Sequence, residues 1–296
     1  MAVTTSTPPD ERTPDTAEGA PEPRRRRGNA VDVWLGVIAW VVGIAFFFPV
    51  FWMVLTSFKT EADAYTPTPK IIFEPTLEQY EGVFSSGIGP YLANSVGATV
   101  ISTLLVLLLA IPAAFALSLR PVQKTSDVLF FFISTKMLPV VAAIVPIYVV
   151  VNEIGALDNI WTLIVLYTGM NLPIAVWMMR SFFLEVPGEL LEQASIDGAP
   201  LWRTLREIVL PIISPGIFAT ALICVIFAWN EFFFAVNLTA ANAGTVPVFL
   251  VGFITSEGLY WAQLSAAATL AALPVVIAGW VAQNKLVQGL SFGAVK

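Results

Sequence analysis

The chain has 296 residues, of which 57% are hydrophobic and only 12% are charged. This apolar fraction exceeds that of soluble domains, so the composition predicts an integral membrane protein. The chain contains no His and a single cysteine, Cys224, which excludes a disulfide framework and a zinc or His-based catalytic site built from this chain alone. The formal net charge of −6 owes much to acidic residues before position 24, so it does not indicate an acidic binding surface.

The first predicted element is an N-terminal tail. Residues 1–30 are rich in Pro and Thr, and this composition predicts a disordered cytoplasmic tail. Arg24 to Arg27 precede the first apolar window, as basic residues do in a signal peptide. The apolar run is too long for a signal peptide, and no small-residue cleavage site follows it. We therefore predict a retained first span and a transmembrane domain over residues 31–296.

Six apolar windows follow the tail. A helix needs about 20 apolar residues to cross the roughly 30 Å hydrocarbon core. The windows that meet this requirement are residues 33–55, 91–119, 128–151, 159–179, 212–239 and 259–283. Prolines predict kinks at Pro49, Pro112, Pro139, Pro146, Pro173 and Pro274. The sequence thus predicts an all-α polytopic membrane fold with six transmembrane helices.

The distribution of Lys and Arg predicts the orientation. If the N-terminus lies inside, the outer segments hold Lys59 and Lys70. The cytoplasmic segments then hold Arg24, Arg25, Arg26, Arg27, Arg120, Lys124, Arg180, Arg203, Arg206, Lys285 and Lys296. The positive-inside rule favours this arrangement, which places both termini in the cytoplasm.

Two predicted outer segments are too short to be folded domains. Residues 56–90 fit either a short ordered cap or a plain connector, because prolines alternate with mixed charges. Residues 240–258 are small and polar except for "VPVFLVGFI", which fits a short re-entrant or surface-lying piece.

Residues 187–211 form a polar segment between the fourth and fifth spans. Pro187 stands at a plausible helix start, and Gly198 and Pro200 predict a helix end and a break. A second amphipathic helix, "LWRTLREIVL", follows. The pattern favours a helix–turn–helix elbow protruding into the cytoplasm, and an interfacial helix lying on the lipid headgroups is the alternative.

Two ionisable residues fall inside predicted spans. Lys136 and Glu231 are each expensive in a bilayer, so each is a candidate functional residue that faces a cavity or a partner. Their predicted depths differ, which argues against direct pairing, and snorkelling or a structural hydrogen bond is the alternative for each.

The elbow carries a family resemblance. "EQA" at 192–194, Gly198 and "IVLP" at 208–211 match the E-A-A-x-x-x-G-x(9)-I-x-L-P pattern of permease subunits in ATP-binding-cassette (ABC) importers, with Gln193 where the pattern has Ala. The runs "RSFFLEVPGELLEQASIDGA" (180–199), "AWNEF" (228–232) and "LVQGLSFGAVK" (286–296) resemble the carbohydrate branch of that family, the maltose-type second permease. The resemblance covers nearly the whole chain.

The resemblance implies that the elbow is a coupling helix that docks in a cleft of a separate cytoplasmic ATPase. The implied coupling residues are Glu192, Gln193, Ala194, Asp197, Gly198, Ala199, Ile208, Leu210 and Pro211. Glu192 and Asp197 would meet basic groups of the ATPase, and Ala194 would be a small packing contact. The chain has no G-x-x-x-x-G-K-[ST] stretch, so ATP and Mg²⁺ would be bound by the partner.

A carbohydrate path would need aromatic surfaces and hydrogen-bonding side chains. Trp229, Asn230 and Glu231 supply these in one turn, while Tyr167 and Asn171 lie at i, i+4 beside Pro173. With Lys136, these are the candidate residues of the substrate path. Packing and interface anchoring are the alternative for the aromatic residues.

The prediction is therefore a multi-pass permease subunit in a bacterial plasma membrane, with no catalytic, metal or cofactor site of its own. The expected partners are a second permease, two ATPase subunits, an external substrate-binding protein or lipoprotein, a carbohydrate and membrane lipid, but not nucleic acid. The main alternative is an ion- or proton-coupled carrier that uses Lys136 and Glu231. A non-transporting scaffold is a third reading. Sugar alcohol, monosaccharide and disaccharide all remain open as substrates.

Overall fold

The structure, a computed structural model, describes residues 30–119, 123–255 and 258–292. The predicted tail therefore lies outside the described residues, except for Ala30, which begins a helix. The chain divides into two units at Pro49. The first unit contains the earlier part of helix α1, Ala30–Thr56, whose side chains from Asp32 to Pro49 are exposed. All other helices and strands belong to the second unit.

The fold is helical, as predicted. After α1 the helices are α2 (Glu61–Ala64), α3 (Glu78–Ser85), α4 (Ile88–Leu119), α5 (Thr125–Met137), α6 (Val140–Glu153), α7 (Ile160–Leu184), α8 (Gly188–Ile196), α9 (Leu201–Arg203), a π-helix (Thr204–Val209), α10 (Leu210–Ile212), α11 (Ser214–Trp229), α12 (Phe233–Leu238), α13 (Val246–Val251) and α14 (Trp261–Phe292). Strands β1 (Ile254–Thr255) and β2 (Gly258–Leu259) form a small antiparallel pair between α13 and α14.

Four helices among the described residues are long and apolar enough to cross a membrane: α1, α4, α7 and α14. Two further spans are bent pairs, so the count reaches six if each pair is one span. The first pair is α5 with α6, and the second joins Leu201–Ile212 to α11.

The predicted third span, residues 128–151, is broken in its middle. α5 and α6 meet at Leu138 and Pro139 with a bend of 89°. Proline lacks a backbone N–H and disfavours a helical residue before it, and Leu138 is accordingly extended, with φ −67° and ψ 123°. The other prolines of the predicted set lie inside α1, α4, α6, α7 and α14. A proline pattern alone therefore did not distinguish this break from a kink.

The predicted fifth span, residues 212–239, is also divided. A bend of 78° separates the segment ending at Ile212 from α11, and a second interruption, residues 230–232, separates α11 from α12. Pro211 lies inside the helical segment α10, and the chain turns at Ile213, two residues further on.

Helices α4 and α7 pack side by side along most of their length and run in the same direction. Three buried layers appear in the same order along both helices. They contain Ala98 with Ile164 and Tyr167, then Val106 with Ala175 and Val176, then Phe115 with Met179 and Phe183. In lipid, where apolar burial gives no net drive, such close packing is what holds helices together.

The end of the bundle at which α4 and α7 begin is covered by α2, α3 and α13. We call it the cap end; the end at which α7 stops is the elbow end. Lys59 is buried at the cap end, with Nζ 4.2 Å from the centroid of the Trp52 ring and 5.2 Å from that of Phe73. The Glu61 carboxylate accepts hydrogen bonds from the N–H groups of Ala262 and Gln263, and so caps α14. Residues 56–90 are thus an ordered cap.

Candidate functional site

The elbow begins with α8 and ends in a left-handed glycine. Gly198 has φ +70°, and its N–H donates to the Ser195 carbonyl at 3.1 Å. The Ala199 N–H donates to the Ala194 carbonyl at 2.9 Å. This pair of bonds is a Schellman motif, which satisfies carbonyls that the end of a helix leaves unpaired. Glycine is therefore favoured at position 198 because the backbone there is left-handed.

The second arm of the elbow is wider than an α-helix. Residues Thr204–Val209 form a π-helix between the short segments α9 and α10. Thr204, Leu205 and Val209 are buried, while Arg203 and Glu207 form an exposed i, i+4 ion pair at 2.8 Å. π-helical turns are rare and often occur at functional sites. Amphipathicity predicted a helix here but not its wider turn.

The exposed surface of the elbow contains five of the nine residues that the resemblance assigns to coupling. Glu192, Gln193, Asp197 and Gly198 are exposed, as is Pro211. Ala199, Ile208 and Leu210 are half-buried. This surface is available to a partner.

Ala194 lies on the opposite side of α8. It is 4% exposed, and it is enclosed by its own chain. This corrects the expectation that Ala194 is a packing contact for the ATPase, because its side chain is buried within the permease, on the inner side of the elbow. A cavity of about 140 Å³ lies behind the same helix, between Phe115 and Leu119 of α4 and Leu191, Ser195, Ala199, Leu201 and Thr204 of the elbow.

The break after α11 is organised by Glu231. Its carboxylate accepts hydrogen bonds from the N–H groups of Phe234 at 2.8 Å and Ala235 at 3.3 Å, and so caps α12. A carboxylate is favourable at this position, because unpaired N–H groups give a helix N-terminus a partial positive charge. Glu231, a candidate for a charged transport site, thus has a structural task.

The neighbouring residues Trp229 and Asn230 border a cleft. The Trp229 indole Nε1 donates to the Ala271 carbonyl at 3.2 Å, which fastens α11 to α14. The exposed Asn230 uses its amide Nδ2 to donate to the Ile226 carbonyl at 2.8 Å. The cleft has a volume of about 320 Å³, and its remaining walls are Val246, Pro247, Leu250, Ala268, Ala271, Ala272, Val275 and Val276.

Tyr167 and Asn171 do not line this cleft. Their side chains are 1% and 0% exposed, and they lie between α7, α4 and α11. Asn171 Nδ2 donates to the Cys224 carbonyl at 3.5 Å, and the Tyr167 hydroxyl lies beside Glu231 and Thr245. The structure therefore separates the two halves of the predicted substrate path.

Lys136 is placed apart from Glu231. Its Nζ lies 5.8 Å from the centroid of the Phe227 ring of α11. Within the described ranges, Lys136 and Glu231 form no ion pair. The sequence argument against direct pairing agrees with this placement.

Asp158 is an important residue that sequence reasoning missed. It precedes α7 with φ +53°, and its carboxylate accepts hydrogen bonds from the backbone N–H groups of residues 240–243. Its own N–H donates to the Leu238 carbonyl at 2.9 Å. Partial burial raises the pKa of this carboxyl, but the hydrogen bonds outweigh burial and lower the pKa to about 2. Only the position of Asp158 in a turn after Gly155 could have drawn attention to it.

The same loop is held from α4. Asn94 Nδ2 donates to the carbonyls of Asn242 and Gly244, and the Ser95 hydroxyl accepts from the Val246 N–H at 2.8 Å. A side chain on Gly244 would meet the Tyr91 ring, since its Cβ would lie 2.6 Å from Cε1. Residues 239–246 are thus fixed at the cap end by α4 and by the α6–α7 turn.

Comparison with known protein families identifies the family to which this chain belongs. Residues 106–291 match the model of the binding-protein-dependent transport system inner membrane component, which covers the elbow, the broken fifth span and the cleft. The chain belongs to this family. It is therefore a multi-pass permease subunit of the bacterial inner membrane, and its relatives are the transmembrane parts of ABC importers, not the parts that hydrolyse ATP.

Several curated permeases are similar to this one over most of their length. A probable ABC transporter permease, y4oR of Sinorhizobium fredii, is 37% identical, and the match covers 86% of this chain and 92% of the relative. The diacetylchitobiose uptake permease DasC of Streptomyces coelicolor is 32% identical, with coverages of 89% and 97%. The trehalose/maltose permease MalG of Thermococcus litoralis is 32% identical, with coverages of 86% and 94%.

A solved structure shares the fold of this permease. A chain of a bacterial ABC transporter that imports the acidic polysaccharide alginate superposes with a TM-score of 0.71. The match covers 88% of this chain and 97% of that chain, at 20% sequence identity. The overall fold is thus one that also occurs in a solved ABC transporter.

Proposed function

We propose that this permease imports a carbohydrate, in the sense of a sugar or a sugar alcohol. The observation that carries the proposal is the cleft beside the broken fifth span, which the largely buried aromatic residue Trp229 and the exposed amide residue Asn230 border. Polyhydroxylated ligands need this combination of an apolar surface and hydrogen-bonding groups. The names of relatives support it, since DasC is a diacetylchitobiose permease and MalG a trehalose/maltose permease.

The permease would form half of a translocation path, and a second permease would form the other half. Two ATPase subunits would bind ATP and Mg²⁺, and an external binding protein or lipoprotein would deliver the substrate. The exposed face of the elbow, with Glu192 and Asp197, is the surface proposed to dock on the ATPase. Both termini and the elbow end would then lie in the cytoplasm, and the cap end outside.

The ion-coupled carrier is the weaker alternative. It would use Glu231 as a transport carboxylate, but this carboxylate already caps α12 through two hydrogen bonds. It also gives no role to the elbow. An ABC permease accounts for both features, because Glu231 can then serve as the cap of α12 and the elbow can serve as the docking surface for the ATPase.

Transport by the complete complex in proteoliposomes tests the proposal. The ligand that raises the melting temperature of the cognate external binding protein identifies the substrate for the uptake assay. We expect uptake to need ATP on the elbow side and to stop when the ATPase carries a hydrolysis-dead substitution. Uptake driven by an ion gradient alone would reject the assignment.

A matched pair of asparagines tests the cleft. Asn230 and Asn237 each donate Nδ2 to the carbonyl four residues earlier, but Asn230 borders the cleft and Asn237 is exposed on α12. We expect Asn230→Ala to raise KM for the carbohydrate about tenfold, the value of one hydrogen bond. Asn237→Ala serves as the control and should leave KM unchanged. Equal effects of the two substitutions would argue against a carbohydrate contact at Asn230.

A further inference from the structure

Lys136 is an exposed cation at the level of the buried layers of the bundle. Phe132 of α5 packs against the middle layer, which contains Val176. Ile144 of α6 packs against the layer nearer the cap end, which contains Ile164. Lys136 comes between Phe132 and Ile144 in the chain, in the last turn of α5, and its side chain is exposed. It therefore lies between two of the three buried layers.

Helix α11 gives the same level for Lys136. Its ammonium lies 5.8 Å from the centroid of the Phe227 ring. Phe227 follows Cys224, which belongs to the middle layer, and precedes Ala228, which belongs to the layer nearer the cap end. The cation is thus placed well inside the span by contacts on two helices, far from the cap end and from the elbow end.

Hydrocarbon is a poor environment for this part of the chain. An ammonium deep in a bilayer is costly unless it faces a partner or a water-filled cavity. Among the described residues, no carboxylate lies within ion-pair distance of Lys136. Helix α5 also ends here, at Met137, and the carbonyls in the last turn of a helix have no partner within it. Non-helical backbone occurs at such a depth only where it is buried in protein or lines a water-filled cavity.

The surface next to Lys136 continues along α11 to the cleft. Phe227 is 43% exposed, and Asn230, three residues further on, is exposed on the same face of the helix. Asn230 also borders the cleft between α11, α13 and α14. Lys136, Phe227 and Asn230 are called the α11 surface below. The break between α5 and α6 bounds this surface on one side, and the cleft bounds it on the other.

The α11 surface combines three kinds of group that a polyhydroxylated ligand can use. Lys136 has three N–H donors, and Phe227 has a partly exposed aromatic ring. Asn230 keeps its amide oxygen as an acceptor, because its Nδ2 donates to the Ile226 carbonyl. A sugar or a sugar alcohol presents hydroxyl groups together with an apolar C–H surface, so it can engage all three.

We propose that the α11 surface lines the aqueous part of the translocation path, and that the Lys136 ammonium donates a hydrogen bond to a hydroxyl oxygen of the passing carbohydrate. The identity of the ligand rests on the proposed function above, whereas the position of the path does not. An aqueous path accounts for both an exposed cation and a helix end at this level, and lipid accounts for neither. A second permease packed on this surface would instead keep Lys136 out of water.

Thiol labelling of the complete complex in proteoliposomes tests the position of the path. A charged, membrane-impermeant methanethiosulfonate reagent is supplied on both sides, and the labelled peptides of this chain are quantified by mass spectrometry. Phe131→Cys is the matched control for Lys136→Cys, because Phe131 is 65% exposed on the same helix but five residues away, and so on another face. The chain's own Cys224 is buried and should stay unlabelled.

Lys136→Cys should react at least about tenfold faster than Phe131→Cys, because the thiolate is the reacting species and forms readily only in water. Similar rates for the two variants overturn the proposal, whether lipid or a second permease covers the surface. They do so even if the permease imports a carbohydrate, so this failure is distinct from failure of the proposed function.

Uptake by substituted permeases tests the carbohydrate contact. Lys136→Met keeps a stem of similar length without a donor, and should lower the maximal rate of uptake about tenfold, the effect of losing one hydrogen bond from a charged group. Lys136→Arg keeps the charge and the donors and should restore most of the rate. Lys124→Met, at the exposed lysine before α5, is the control and should transport normally. Normal uptake by Lys136→Met, or equally slow uptake by Lys136→Arg, overturns the contact.

Discussion

Asp158 and Asn242 are 84 positions apart in the chain, and the Asn242 amide Nδ2 donates a 2.8 Å hydrogen bond to Asp158 Oδ2. The Asn242 backbone N–H also donates to the same carboxylate, at 3.0 Å to Oδ2 and 3.1 Å to Oδ1. Together with the N–H groups of its neighbours, Asn242 surrounds one carboxylate with donors. The turn before α7 thereby fixes the loop between α12 and α13, and this loop leads into the walls of the cleft.

Asp158→Asn should destabilise the permease. The amide keeps the shape and tolerates the left-handed φ, but one of its two acceptor oxygens is replaced by a donor group that faces backbone N–H groups. We expect a loss of about 1–2 kcal/mol, because the bonds are charge-assisted but the site is partly exposed. Thermal unfolding of the detergent-solubilised complex measures it. Glu153→Gln, at an exposed carboxylate on α6, is the control, and equal shifts in both variants would contradict the role of Asp158.

The same carboxylate predicts a pH dependence. Its pKa is lowered from 3.8 to about 2 in the folded protein, so its contribution to stability is fully present above about pH 4 and is lost as the pH falls through about 2. Hydrogen exchange of the amides of residues 240–243, corrected for intrinsic rates, should show constant protection from pH 8 to 4 and a loss below pH 4. In Asp158→Asn the protection should be low at every pH. Protection that changes between pH 5 and 8 would assign the effect to another group.

Gly216→Ala should lower stability at the start of α11. A Cβ at this position would overlap the ring of Phe182. The ring borders a cavity of about 270 Å³ and can shift, so the expected cost is at the lower end of overpacking, about 1 kcal/mol. Gly169→Ala on α7, where a Cβ meets nothing within 4 Å, should leave the melting temperature unchanged or raise it. If Gly216→Ala left the melting temperature unchanged, the contact with Phe182 would not be close-packed.

Gly198→Asp should abolish or strongly reduce uptake while membrane insertion stays normal. The added side chain meets nothing within 4 Å in the permease, so it projects from the elbow into the space that we assign to the ATPase. Gly155→Asp is a matched control, because Gly155 also has a positive φ, +66°, and open surroundings but lies at the cap end. Backbone strain is thus similar in both variants. Uptake lost equally in both would point to strain rather than to coupling.

Glu231→Gln should weaken the cap of α12 without changing the energy source of transport. Both carboxylate oxygens accept backbone N–H groups, and Gln offers one acceptor, so we expect a loss of about 1 kcal/mol in stability. ATP-driven uptake should persist with an unchanged pH profile. Glu185→Gln, at an exposed carboxylate after α7, is the control for stability. A variant that folds normally but no longer transports would revive the carrier hypothesis.

Much of the fold was predictable because local physics determines it. Long apolar runs must form helices in lipid, where every backbone N–H and C=O needs an internal partner. Gly198 and Pro200 marked the bend of the elbow, because a left-handed helix end and a residue before proline have strong local requirements. The sequence could not tell which of six prolines breaks a span: Pro139 does, while Pro112 and Pro173 remain inside helices.

The candidate site was predictable in residue type but less so in arrangement. Trp229 and Asn230 border the cleft, whereas Tyr167 and Asn171, which satisfy the same chemical criteria, are enclosed between helices. Ala194 belongs to the elbow motif yet is buried on its inner side. Spacing along one helix assigns residues to a face, but only the neighbouring helices decide whether that face borders a cleft or a packed interior.

The sequence by itself determined a helical membrane protein with a polar elbow, because hydropathy, proline and glycine act over a few residues. Only the tertiary structure decided how Asp158 finds Asn242 and how Ala98 of α4 packs against Ile164 and Tyr167 of α7. Neither relationship leaves a local signal in the sequence. The partners of Asp158 come from a distant loop, and the contact of Ala98 depends on the register in which α4 and α7 pack.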